Sequence, residues 1–231
     1  GNKKSVTEEE NMRKQWIAMV AAVALSAAAN AQEAAELFVN MPEVHLAELD
    51  ADARRELVKL YDPKSKEDVK AKVPNALRGE ARITLLTPDY ISLYTSQRSR
   101  MELRRLPLVN HTYVICLITT VEGPAMDSRV EFFTTDWQPL VASELYRPAR
   151  MEDFLREGVD TTEADYGDIK AAADMGLFLY SLSAEKPVLT VTYTTPDYFN
   201  EAMRKKAERY FDKAAMPRLY KWNNGRFDFL K

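Results

Sequence analysis

The fold is decided by residues 82–135, RITLLTPDYISLYTSQRSRMELRRLPLVNHTYVICLITTVEGPAMDSRVEFFTT. Apolar and polar residues alternate along four segments of this stretch, with the two-residue period of a half-buried β-strand. A fifth segment, His111 to Val121, is rich in Val, Ile, Thr and Tyr and predicts a central strand. Thr87-Pro88-Asp89 and Gly123-Pro124 lie between such segments and predict turns. The stretch therefore predicts an antiparallel meander of five strands.

Two helices are predicted in front of the meander. One apolar stripe at helical spacing runs from Ala34 and ends before Pro42, and Asp50 is a favourable N-cap for a second stripe that ends at Asp62-Pro63. Helices in this place would cover one face of the sheet.

The second half of the chain predicts further short elements. Strands are expected at Leu177 to Leu182 and Val188 to Tyr193, after an acidic loop at Asp160 to Gly167. Thr195-Pro196-Asp197 predicts the start of a helix that continues to Phe211, since proline is favoured at the first helical position.

A hairpin is predicted at the end of the chain, because Asn224-Gly225 favours a type I′ turn. The predicted fold class is thus α+β. Residues 32–140 form helices plus a five-strand antiparallel meander, and residues 141–231 form a smaller α+β lobe packed on the first, ending in a β-hairpin.

A short sequence occurs twice. Ile83-Thr84-x-x-Thr87-Pro88-Asp89-Tyr90-Ile91 matches Val191-Thr192-x-x-Thr195-Pro196-Asp197-Tyr198-Phe199. Two interpretations remain open: convergent turn chemistry, because proline ends a strand, and a true internal duplication.

Residues 1–31 are interpreted as a leader, made of an eleven-residue extension and a signal peptide from Met12 to Ala31. Arg13 and Lys14 precede an uncharged segment, and Ala29-Asn30-Ala31 is a small-x-small cleavage site. The pattern predicts cleavage after Ala31 and a periplasmic or secreted product with no membrane span. No cysteine follows that site closely enough to carry a lipid anchor.

Composition narrows the class of protein. The chain has 46% hydrophobic and 29% charged residues, as folded domains do, and its net charge of −3 argues against nucleic acid as a partner. Cys116 is its only cysteine, so an intramolecular disulfide is excluded. Its apolar neighbours predict a buried, inert thiol.

Few residues suggest catalysis. The sequence has no phosphate loop, nucleophile elbow or metal motif, and no cofactor or metal is expected. A hydrolase acting on glycans or peptides would need at least two catalytic groups that the fold brings together. The candidates are the acidic residues Asp127, Glu131, Asp136 and Asp160, and His111.

Aromatic residues are the better candidates for binding. Those expected on a sheet face or at a strand end are Tyr90, Tyr94, Trp137, Tyr220 and Trp222, and such residues form either a core or a binding platform. Arg100 and Arg104 alternate with Glu102 and predict a solvated outer face. Thr161, in Asp160-Thr161-Thr162, is a candidate for O-glycosylation.

Five segments resemble a family of exported proteins of gut-dwelling Gram-negative anaerobes, domain of unknown function 3256. They are Ser99 to Pro107, Val114 to Thr120, Asp127 to Leu140, Thr190 to Tyr198 and Lys221 to Phe227. The resemblance implies export and a compact α+β structure, and it implies no activity. We therefore expect a non-enzymatic binding or interaction module with a protein or glycan partner in the cell envelope, and a hydrolase is the alternative.

Overall fold

The protein consists of two antiparallel sheets with helices around them. A computed structural model describes residues 33–66 and 70–230, in which there are eleven strands and five α-helices. The interpretation of residues 1–31 as a leader concerns residues outside the described part. None of the described helices is long and apolar enough to cross a membrane.

The larger sheet has seven strands that follow one another in space as they do in sequence. Strands β2 to β6 are the predicted meander, which is confirmed, and short strands extend it at both edges. The strands are β1 (Val73–Pro74), β2 (Glu80–Leu86), β3 (Tyr90–Tyr94), β4 (Ser99–Pro107), β5 (Tyr113–Val121), β6 (Asp127–Thr134) and β7 (Pro139–Leu140).

Two N-terminal helices pack on one face of this sheet, as predicted. They are α1 (Ala34–Val39) and α2 (Ala51–Leu60), and the Asp50 side chain caps α2 by accepting a hydrogen bond from Ala53 N at 2.8 Å. Leu37 and Phe38 are fully buried in the resulting core. This apolar burial provides most of the contact between the helices and the sheet.

The second half contributes three helices and a four-stranded sheet of order β11-β10-β9-β8. Its elements are α3 (Ala142–Leu145), α4 (Ala164–Ala172), β8 (Phe178–Leu182), β9 (Val188–Tyr193), α5 (Glu201–Ala207), β10 (Arg218–Trp222) and β11 (Phe227–Leu230). The predicted hairpin is confirmed as β10–β11, and Asn224 and Gly225 both have the positive φ that a type I′ turn requires. Short 3₁₀ turns lie at Glu43–His45, Met151–Phe154, Thr195–Tyr198 and Lys213–Ala215.

Two local predictions are corrected. The helix expected from Thr195 to Phe211 is divided into the Thr195–Tyr198 turn and α5, because Asn200 caps α5 by accepting from Met203 N at 2.9 Å. Helix α4 begins within the segment expected to be an acidic loop. The repeated Thr-Pro-Asp has two structures, a turn between β2 and β3 and a 3₁₀ turn, so its local chemistry does not dictate one conformation.

The second sheet packs on the other face of the first through its edge strand β8. Side chains of the large sheet accept hydrogen bonds from three backbone N–H groups along β8: Phe178 N to Asp127 Oδ1 at 3.2 Å, Tyr180 N to Ser128 Oγ at 3.0 Å and Leu182 N to Glu102 Oε1 at 3.1 Å. The edge of β8 is thus occupied by side chains instead of a neighbouring strand.

The polar face of β4 is consequently not a solvated surface, and that prediction is wrong for two of its residues. Glu102 and Arg104 are 5% and 4% exposed. Arg104 Nη1 donates to the carbonyl oxygens of Ser183 at 2.7 Å and Ala184 at 3.0 Å, just beyond β8. Buried charges are tolerated when they are hydrogen-bonded, and here the bonds join the two sheets.

Candidate functional site

The five aromatic residues proposed from the sequence do not share one surface. Trp137 is buried on the helix side of the large sheet, where its Nε1 donates to Leu37 O at 3.2 Å. Tyr220 and Trp222 are buried between the sheets, and Trp222 Nε1 donates to Pro107 O at 2.7 Å. These three side chains lie in the cores. Tyr90 is also buried, at 6% exposed, and belongs to the core between the sheets, but it lines a cleft together with the half-buried Tyr94.

Tyr90 and Tyr94 line a cleft of about 480 Å³. It lies on the face of the large sheet that packs against β8, beside the part of that face that β8 contacts. We call it the tyrosine cleft, and it is lined chiefly by Arg82, Thr84, Tyr90, Ser92, Tyr94, Arg100, Glu102 and Ser181. Strands β2, β3 and β4 supply its floor, and Ser181 of β8 supplies one wall. Its size is within the range of small-ligand sites.

The floor consists of two rows of side chains that cross the strands. In one row, Tyr94 is paired in register with Arg82 on one side and Arg100 on the other. The Arg82 guanidinium lies 4.4 Å from the centre of the Tyr94 ring, within the range of a cation–π contact. This row is therefore cationic and aromatic.

The second row carries hydroxyl groups and a carboxyl group. Ser92 is paired in register with Glu102, and its Oγ lies 2.6 Å from Thr84 Oγ1. Thr84 faces Ser92 because it continues the register of Arg82 with Tyr94 and Ile83 with Leu93, and a bulge between Ile83 and Leu85 then pairs Leu85 with the same Ser92. Because the rows are two residues apart along each strand, they are roughly 7 Å apart.

Glu102 is the most unusual group of the cleft. Its Oε1 accepts hydrogen bonds from Tyr90 Oη at 2.8 Å, Ser181 Oγ at 2.9 Å and Leu182 N at 3.1 Å. Its Oε2 is buried and has no hydrogen-bond partner among the described residues. Burial raises the pKa of the Glu102 carboxyl, although the three donors and nearby Arg100 act in the opposite direction.

Arg100 places a second cation in the cleft. Its Nη1 lies 3.9 Å from Glu122 Oε1, at the limit of an ion pair, and its side chain is 29% exposed. Its Nε is buried and unpartnered within residues 33–66 and 70–230. A donor on Arg100 and an acceptor on Glu102 are thus buried beneath the surface of the cleft without a partner among the described residues.

The acidic candidates for a hydrolase do not converge. Asp127 accepts from Phe178 N, Glu131 forms an ion pair with Arg129 at 3.1 Å, and Asp160 Oδ1 accepts from Thr162 N at 2.8 Å in its own loop. Asp127 and Glu131 are four residues apart on β6, roughly 13 Å, which is beyond the 5–9.5 Å of paired glycosidase carboxyls.

Asp136 and His111 are exposed in turns that follow β6 and β4. Within the described residues no group of three or more His, Cys, Asp or Glu side chains could hold a metal ion.

Two other candidates lie outside the cleft. Cys116 is fully buried, as predicted, and burial raises its pKa well above the ordinary value for a thiol. Thr161 is exposed in the loop that precedes α4, beside Asp160. Its glycosylation stays a prediction.

Comparison with known proteins defines the family. The sequence profile described as "Protein of unknown function (DUF3256)" matches residues 26–227. The chain belongs to the DUF3256 family. This DUF3256 protein is also similar to a solved structure described as a domain of an uncharacterized protein from Porphyromonas gingivalis W83, with a TM-score of 0.76 and 29% sequence identity.

That similarity covers 87% of this DUF3256 protein and 99% of the other chain, so it extends over both sheets. No functionally curated protein gives a significant match. The family resemblance read from the sequence is therefore confirmed, whereas export and a gut-anaerobe source stay predictions.

Sequence reasoning identified Tyr90 and Tyr94 but missed their partners. Arg82 and Ser181 were not singled out, and Glu102 was assigned to a solvated face. The available signal was the run of polar residues at alternate positions on three successive strands, which indicates a continuous polar strip on one sheet face. The sequence could not show that β8 would close one side of that strip.

Proposed function

We propose that this DUF3256 protein is exported to the periplasm or the cell surface and binds a glycan there without cleaving it. The tyrosine cleft is the binding site in this proposal. The observation that carries it is the combination, in one cleft, of the half-buried Tyr94 ring, three hydroxyl side chains and the unpartnered Oε2 of Glu102.

A sugar ring matches this combination. Its C–H groups pack on an aromatic ring, and its hydroxyl groups both donate and accept hydrogen bonds. An unsatisfied buried acceptor costs about 1–3 kcal/mol. A small movement of the Glu102 side chain that brings Oε2 to a ligand hydroxyl would therefore recover part of that cost on binding. Thr84, Ser92 and Ser181 add hydroxyl groups to the same cleft.

Binding is favoured over hydrolysis because Glu102 is the only carboxyl group that lines the cleft among the described residues. Glycoside hydrolysis ordinarily requires two carboxyl groups on opposite sides of the scissile bond. The signal-peptide pattern of Met12 to Ala31 supports export, and an envelope location would give access to surface glycans.

The test is glycan-array screening of the protein expressed without residues 1–31, followed by calorimetric titration of the best ligand. Tyr94→Ala is expected to weaken binding by roughly tenfold or more, because aromatic anchors dominate such sites. Tyr113→Ala is the matched control, since Arg105 lies 4.4 Å from the Tyr113 ring on the helix side of the sheet.

Equal weakening by both variants would contradict the assignment of the cleft. Release of shorter sugars from the bound glycan would instead support the hydrolase alternative. If the protein binds no glycan but binds an envelope protein in a way that depends on Tyr94, the partner of the cleft is a protein and not a glycan.

A further inference from the structure

A second cleft continues from the tyrosine cleft. It has a volume of about 410 Å³, and its lining comprises Lys72, Arg78, Gly79, Glu80, Arg82, Ser96 and Gln97. We call it the hairpin cleft, since Ser96 and Gln97 lie in the turn between β3 and β4. Arg82 lines both clefts, so the two adjoin at its side chain near the end of β2, β3 and β4, and we call them together the groove.

The groove carries an excess of positive charge. Among the described residues that line it, Lys72 and Arg78 join Arg82 and Arg100, whereas the carboxyl groups are those of Glu80 and Glu102. Glu122 lies outside the lining, at the limit of an ion pair with Arg100. Glu80 forms an exposed ion pair with Lys72 at 3.4 Å, and exposed pairs of this kind are weak. Arg78 is exposed at the turn before β2.

This excess contrasts with the whole chain, whose net charge is −3. The groove therefore combines positive side chains with two clefts on one surface. A local field of this kind attracts an anionic ligand and raises its association rate.

The spacing of the two rows indicates the form of the anion. Arg82 and Arg100 are two strands apart, roughly 10 Å between Cα atoms, and their long side chains flank Tyr94. Guanidinium groups bind carboxylates through two parallel hydrogen bonds. About 7 Å away lies the row of Thr84, Ser92 and Glu102, which can bind hydroxyl groups.

We propose that the groove binds an acidic polysaccharide, with the carboxylate of one sugar at the Arg82–Tyr94–Arg100 row and the next acidic sugars along the hairpin cleft. This inference rests on the proposed function and specifies its ligand. The ring hydroxyl groups of the first sugar contact Glu102 and the neighbouring serine and threonine hydroxyls. Lys72 and Arg78 bind the carboxylates that follow.

The proposed ligand class is tested by calorimetric titration of the protein at low and at high salt. The ligands are galacturonic acid, long oligogalacturonates and neutral galacto-oligosaccharides of the same length as the oligogalacturonates. The oligogalacturonates are expected to bind at least about tenfold more tightly than the neutral oligomers, because losing charge-assisted hydrogen bonds lowers affinity by that order. Their affinity is expected to fall as salt is raised.

Three variants locate the contacts. Arg100→Gln is expected to weaken the binding of galacturonic acid and of its oligomers by the same factor. Arg78→Asn is expected to remove the advantage of the oligomer over the single sugar, and asparagine suits the φ of 62° at this position. Arg129→Gln is the control, since Arg129 is 68% exposed on β6, outside both clefts.

Each remaining outcome decides against the inference. Equal affinity for neutral and acidic oligomers, with sensitivity to Tyr94→Ala, would overturn it and leave the proposed function standing. Absence of binding to any glycan would overturn both. Single-stranded DNA that binds as tightly as oligogalacturonate would identify nonspecific attraction of polyanions. Should Arg100→Gln unfold, Arg78→Asn still tests the proposal, because Arg78 is exposed.

Discussion

The backbone N–H of Leu182 donates a 3.1 Å hydrogen bond to Oε1 of Glu102, which links the edge strand β8 to the middle of the large sheet. Tyr90 and Ser181 donate to the same oxygen. One carboxyl group therefore contributes both to the junction of the two sheets and to one wall of the tyrosine cleft. Its removal should affect stability and binding at once.

Glu102→Gln is expected to preserve the fold, because the glutamine Oε1 can accept the same three hydrogen bonds. Glu102→Ala is expected to destabilise the protein by about 2–4 kcal/mol, since it leaves buried donors without an acceptor. Urea unfolding monitored by tryptophan fluorescence measures both. Similar losses in the two variants would show that the carboxyl charge itself stabilises the junction.

The raised pKa of Glu102 predicts how the stabilities of wild type and Glu102→Gln differ as the pH changes. The Glu102 carboxyl binds its proton more tightly in the folded state than in the unfolded state. The stabilisation of wild type by this proton is therefore complete below about pH 4.5 and is lost as the pH rises through the raised pKa. The melting temperature of Glu102→Gln relative to wild type should therefore increase from pH 4.5 towards neutrality. Glu157→Gln, at an exposed position, is the control, and a decrease for Glu102→Gln would contradict the prediction.

Arg54 joins the two N-terminal helices and offers a second stability test. It is 1% exposed, and its Nη1 donates to Phe38 O at 2.9 Å and Met41 O at 2.5 Å, beyond the end of α1. Arg54→Met should cost about 3 kcal/mol, because both carbonyl groups lose a charged donor. Arg55→Met, at a 59% exposed position, should change the free energy of unfolding by less than about 0.5 kcal/mol. Equal effects would refute this role for Arg54.

Cys116 provides a probe of global unfolding. Its thiol is buried and its pKa is raised, so the native protein should not react with a thiol reagent such as DTNB at neutral pH. Reaction is expected to follow the unfolding transition in urea. Thr161→Cys, at an exposed position, should react at once in the same experiment. Rapid labelling of Cys116 in native conditions would reveal local opening of β5.

The predicted signal peptide can be tested by expressing residues 1–231 in a Gram-negative host and sequencing the N-terminus of any periplasmic product. Gln32 is the expected first residue. Ala31→Glu should block processing, because the cleavage site requires small residues, and the precursor should accumulate. Ala35→Glu, beyond the site, is the control for processing. Recovery of an uncleaved cytoplasmic protein in wild type would refute export.

The sequence predicted the sheet well because strand periodicity is local. Alternation in Ser99–Pro107 defined β4 and its two faces, and Asp50 and Asn224-Gly225 defined a helix start and a hairpin turn. Alternation alone cannot distinguish a polar face in water from one covered by polar backbone. Glu102 and Arg104 were misplaced for this reason, since their partners in 181–184 lie about 80 residues away in the sequence.

The tyrosine cleft was only partly predictable for the same physical reason. Tyr90 and Tyr94 share a face by the two-residue period of β3. The bulge in β2, which pairs both Thr84 and Leu85 with Ser92, is not indicated by the sequence. Ser181 reaches the cleft only through the packing of one sheet on another.

The side-chain hydrogen bonds along β8 also bear on self-association. A bare strand edge is a template for the strand of another molecule, and such pairing leads to swapped dimers and fibrils. Asp127, Ser128 and Glu102 occupy the N–H groups that an incoming strand would need. We therefore expect these bonds to disfavour strand pairing between molecules through β8. Replacing all three side chains is expected to favour such pairing.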